Sequence, residues 1–140
     1  MQIIPAALIA ILLVLAALHL YWGVGGYWPG HDPASLAARV VGTIGRAPPN
    51  FYACAAVTLA LCAAAYIIAA HHGAPRFGVP HLLWTLGYWG AFSVFLLRGI
   101  AAYVPRVFAY ARGTEFFTLN QLYYAPLCLI IAAGMAAAQL

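Results

Sequence analysis

Residues 3–23, IIPAALIAILLVLAALHLYWG, run from end to end without a charged side chain. A membrane-spanning helix needs about 20 mainly apolar residues, and this stretch supplies them. Three further runs of the same kind follow, at about 51–70, 82–103 and 122–140. In lipid only helices and closed barrels satisfy their backbone polar groups. Barrel strands are alternating segments of about ten residues, whereas these runs are continuous and rich in Ala and Leu. The composition around them agrees. The chain is 66% hydrophobic and 6% charged, against roughly 45–50% and about 25% in soluble domains. The reading is all-α: an integral membrane four-helix bundle, one domain over residues 1–140. The first run lacks the basic n-region of a secretory signal, so it reads as the first helix of the mature protein.

All six basic residues are Arg. Arg39, Arg46, Arg106 and Arg112 fall in the first and third loops, and Arg76 alone in the second. The positive-inside rule places the four-Arg side in the cytoplasm and both termini in the periplasm. Most aromatics crowd the same side. They include Tyr21, Trp22, Tyr27, Trp28, Phe108, Tyr110, Phe116, Phe117, Tyr123 and Tyr124, which suggests a cap or pocket there.

The first loop is long for a helix–helix connection. Its segment HDPASLAARVVGTIG, residues 31–45, predicts a short interfacial helix. Asp32 or Ser35 would cap it, and Leu36, Val40 and Val41 would form an apolar stripe. Arg39 would point to water or lipid phosphate. Ala56, Ala60 and Ala64 make a small-residue row, and Ala132 with Ala136 a shorter one; both predict tight helix packing.

Polar residues inside the spans carry any chemistry. His19 ends the first span, Arg98 lies about 10 Å inside the end of the third, and Asn120, Tyr123 and Tyr124 open the fourth. All share one leaflet. Arg98 reads as a snorkelling anchor, as the partner of Glu115 or of helix-four carbonyls, or as an anion contact. Gly99 would open room beside its guanidinium. His19 reads as a packing residue or a ligand contact; a haem would want a second axial His at matching depth, and there is none. Pro126 would kink the last span and open a cavity. The expected ligand-binding set is His19, Trp22, Arg98, Asn120, Tyr123 and Tyr124.

No catalytic pattern appears. The two acids, Asp32 and Glu115, lie in loops, and Ser35 and Ser93 have no adjacent base. Cys54, Cys62 and Cys128 form no Cys-x-x-Cys signature. His71, His72 and His81 have neither carboxylate nor cysteine beside them, so no metal is expected, and no cofactor either. The diffuse positive charge argues against nucleic acid. Expected partners are membrane lipids, a small amphiphile such as a quinone-like molecule, a second copy, or a larger membrane complex served as an accessory subunit. A small oligomeric transporter is the remaining alternative.

HLYWGVGGYWPG (19–30), LLRGI (96–100), RGTEFF (112–117) and YYAPLCL (123–129) together resemble a family of small bacterial four-span membrane proteins of uncharacterised function. The resemblance covers most of the chain. It implies a four-helix fold in the inner membrane and no activity. The matching positions are His19, Tyr21, Trp22, Trp28, Pro29, Arg98, Tyr124 and Pro126. The family pattern carries an acid a few positions after the third-helix Arg, where this chain has Ala101 and Ala102. It carries another before the Tyr-x-Pro motif, where Asn120 stands.

Overall fold

The computed structural model describes residues 3–45 and 47–139. Arg46, counted above among the loop arginines, and Leu140 lie outside them. Among the described residues the chain is all-α. Its elements are α1 (Ile3–Gly23), α2 (Pro33–Val40), α3 (Phe51–His71), α4 (His81–Ala101) and α5 (Glu115–Leu119). A π-helical turn, Asn120–Tyr124, then leads into α6 (Ala125–Ala137).

Three stretches are long and apolar enough to cross a membrane: α1, α3 and the continuous run Glu115–Ala137. The last begins well before the expected 122, because RGTEFFTLN already turns helically from Glu115. At 21 residues, α4 is as long as α1 and α3. It is less apolar, since it carries His81, Thr85, Ser93 and Arg98. It also stops at Ala101, so Arg98 sits in its last turn, about 5 Å from the end rather than 10 Å.

Neighbouring helices run antiparallel. The Thr58 hydroxyl donates to the Ala16 carbonyl at 3.3 Å, and a Cβ on Gly23 would stand 3.0 Å from that of Cys54, which fixes α1 along α3. Tyr88, fully buried, donates its hydroxyl to the Met135 carbonyl at 2.7 Å and ties α4 to α6; a phenol in an apolar core needs such a partner. Leu8, Leu12, Ala65, Ile68, Ile131 and Met135 complete the core around it. Gly99 does not make room for Arg98. A Cβ there would meet Leu129 at 2.6 Å and the Ala125 carbonyl at 3.2 Å, so it allows α4 to approach α6.

The row Ala56, Ala60 and Ala64 packs less tightly than its spacing predicts. Ala56 and Ala60 are exposed, and the row lines an open groove between α3 and α4. The contact of α3 with α1 uses another face, near Cys54 and Thr58.

α2 begins where the sequence marks it. Asp32 accepts from the Ser35 amide at 2.7 Å, and the Ser35 hydroxyl accepts from the Asp32 amide at 3.1 Å, a reciprocal capping box. The Ser35 amide, and after it the Ser35 hydroxyl, hold the Asp32 carboxyl below its ordinary value. The chain turns away after α2 at Gly42, whose φ of +81° suits glycine. A side chain there would also strike Ala111 and Phe116 within 2.7 Å. Leu36 and Ala37 are buried, and α2 packs on α5.

Candidate functional site

The aromatic stretch after α1 folds back on itself. The Gly26 amide donates to the Tyr21 carbonyl at 2.8 Å, and a Cβ on Gly26 would fall 2.2 Å from the Tyr21 ring. The Trp22 indole N–H donates to the Trp28 carbonyl at 2.7 Å. Trp22 is thereby fixed, and its ring stands edge-on to His19, centroids 4.9 Å apart. His19 Nδ1 lies 2.8 Å from the Leu15 carbonyl. A carbonyl can only accept, so Nδ1 carries the proton and Nε2 is the free nitrogen of the neutral ring.

Arg98 comes from α4 on the other side. Its Nη2 donates to Asn120 Oδ1 at 2.7 Å. Asn120 is buried, 1% exposed, and sits in the π turn. The guanidinium also lies over the Phe108 ring, 4.9 Å from its centroid, a cation–π contact. Nη1 is buried and has no hydrogen-bond partner.

The π turn has a local cause. Pro126 has no N–H to give to the carbonyl of Leu122, and its ring crowds that carbonyl. The ladder shifts there by one residue, and the Ala125 amide bonds to the Asn120 carbonyl, five back. Single π turns of this kind gather at functional sites.

His19, Trp22, Arg98 and Tyr124 line one cavity of about 300 Å³. Its other walls are apolar, including Leu15, Val57, Phe95, Leu127 and Cys128, and Val40 with Phe116 face it from α2 and α5. Of the expected residues, Asn120 stands behind Arg98 and holds it rather than lining the space. Tyr123 is 64% exposed and does not line the cavity. Successive helical positions point about 100° apart, so only one of the two tyrosines can face inward.

Arg39 does not stand free as expected. Still 28% exposed, it pairs with Glu115 and donates to the Pro29 carbonyl. Tyr124 donates its hydroxyl to the Arg39 carbonyl at 3.2 Å. Glu115, at the start of α5, is thus the partner of Arg39 and not of Arg98. These contacts form a latch that joins three separate segments. The sequence reading offered Glu115 as a partner of Arg98, not of Arg39, and marked Phe108 only as one aromatic among many.

At the opposite end His71 and His72 stand with ring centroids 5.3 Å apart, and His71 stacks on Tyr88 at 4.4 Å. His71 Nε2 meets Gln139 Oε1 at 3.0 Å. Among the described residues no three His, Cys, Asp or Glu are placed to hold a metal ion.

Residues 12–135 match the family model described as protein of unknown function (DUF3995), and the chain belongs to that family. No curated protein and no solved structure matches it.

Proposed function

We propose that this family member is a non-enzymatic, four-pass protein of the bacterial inner membrane that binds the polar end of a small amphiphile in the Arg98 cavity. One observation carries the reading: Arg98, a cation with one guanidinium nitrogen buried and unpartnered, lines a largely apolar cavity. Leaving a charged donor unpaired costs about 1–3 kcal/mol or more, so such a group calls for an acceptor. Binding sites combine apolar walls with a few convergent polar groups, typically in about 300–1,000 Å³. Asn120 and Phe108 orient Arg98, His19 offers Nε2, and Trp22 and Tyr124 form walls. A lipid headgroup or a quinone-like carbonyl fits that set. Both acids have other partners, since Asp32 caps α2 and Glu115 pairs with Arg39. That supports binding over acid–base catalysis.

α4 serves as the fourth pass in this reading. It equals α1 and α3 in length and packs between α3 and α6. The four helices then form one bundle, with α2 in the interface beside the cavity. The arginine bias puts that face in the cytoplasm and both termini in the periplasm.

Native mass spectrometry from mild detergent tests the reading. Wild type should carry a bound amphiphile, and Arg98→Leu should lose it. One charge-assisted hydrogen bond of about 1.5–3 kcal/mol corresponds to about 10- to 150-fold in affinity. Lipid extract should raise the melting temperature of wild type alone. An identical response of both proteins would remove Arg98 as a ligand contact, and a stable larger complex without bound lipid would favour an accessory subunit.

A further inference from the structure

The Arg98 cavity shares part of its wall with a second space. Val57, Leu61 and Phe95 line it and also line a second, wholly apolar groove of about 650 Å³. That groove runs between α3 and α4, past Ala56, Ala60 and Ala63 on one side and Gly87, Gly90 and Val94 on the other. Small residues keep it open. A Cβ added at Gly90 would meet nothing within 4 Å. From Arg98 back to Gly87 the helix rises about 16 Å at about 1.5 Å per residue. That is close to half of a hydrocarbon core about 30 Å thick, the depth of one leaflet. A positive charge at the headgroup end therefore stands beside an apolar trough about one leaflet deep.

We propose that the occupant is a long-chain carboxylate with a single tail, its head on Arg98 and its chain laid along the α3–α4 groove. The inference rests on the reading of the Arg98 cavity given above. The head must be small. Asn120 takes one N–H of Nη2, and the cavity holds only about 300 Å³. Among lipid heads a carboxylate asks for fewer donors than a phosphate, and unpaired polar atoms are penalised there. A carboxylate brings two oxygens. Nη1 serves one, and the other lies toward His19 in the same cavity wall. The second copy that the alanine row suggests is disfavoured, because a packed helix would leave Nη1 unpaired.

The test uses purified full-length protein in detergent, with octadecanoate, octadecanol and hexanoate as probes. Read-outs are bound mass by native mass spectrometry and melting temperature. The variants are Gly90→Leu and Ala60→Leu, both at exposed groove positions, and Arg98→Leu. Octadecanoate should bind wild type one to one and raise its melting temperature, and octadecanol should not. Either groove variant should bind octadecanoate about ten-fold more weakly or worse, because chain and leucine compete for one volume. Both should retain wild-type affinity for hexanoate. Groove variants that bind octadecanoate like wild type, while Arg98→Leu does not, would overturn the tail groove and leave the Arg98 site standing. Arg98→Leu binding like wild type would remove both. A wild-type dimer that Gly90→Leu dissociates would reassign the groove to contact between copies.

Discussion

Arg98 and Asn120 form a pair whose two halves are unequal. Asn120→Leu leaves a charged group without its acceptor, about 1.5–3 kcal/mol by the strength of such bonds. Arg98→Leu strands a neutral amide, but it also removes a charge that is expensive to insert. Asn120→Leu should therefore melt well below wild type in detergent and Arg98→Leu close to it. The reverse order would mean that Asn120 holds the helix rather than the arginine. His72 gives a second test. Burial, with His71 beside it, holds its pKa below the ordinary 6.5. As pH falls through 6.5 the unfolded chain takes up a proton before the folded one does, so stability declines from just above 6.5 downward. Melts at about pH 8 and about pH 5.5 should differ in that direction, and His72→Asn should narrow the gap. Residue by residue, the sequence was informative for groups that act along their own helix. His19, Trp22, Arg98 and Tyr124 could be brought together by counting depth. Arg39 with Glu115 could not, because that pair depends on how a loop helix docks against the start of another. The choice between Tyr123 and Tyr124 hangs on a one-residue register shift that no count of turns contains.

Among the elements, the run Glu115–Ala137 shows how one proline shapes a site. Pro126 removes a rung, the helix opens into a π turn, and Asn120 faces α4. Pro126→Ala restores the missing donor and lets the ladder close as a regular α-helix. A wider turn narrowed to 3.6 residues rotates everything before it, Asn120 included. The variant should be as stable as wild type or more so, given the low helix propensity of proline, yet respond to added lipid as weakly as Arg98→Leu. Melts with and without lipid extract decide it. An unaltered lipid response would show that Asn120 reaches Arg98 from either register. The elements themselves were legible to within a few residues wherever apolar runs were uninterrupted. They were least so at 104–121, where glycine, proline and charge obscure a helix that starts at Glu115.

For the whole molecule, orientation decides which solution the cavity faces. A C-terminal alkaline phosphatase fusion should be active and a C-terminal fluorescent protein dark if Arg39, Arg106 and Arg112 stay in the cytoplasm. The opposite pattern would turn the cavity to the periplasm. One feature of the assembled chain bears on time rather than affinity. The Arg39 latch joins α2, the Pro29 turn and the start of α5, and its ion pair is half open to water, Glu115 being 60% exposed. Exposed pairs contribute only about 0–1 kcal/mol, so the latch adds little to stability. It can still govern escape. Where a molecule seated on Arg98 exchanges with water past α2, salt that loosens the Arg39–Glu115 pair should shorten its dwell time.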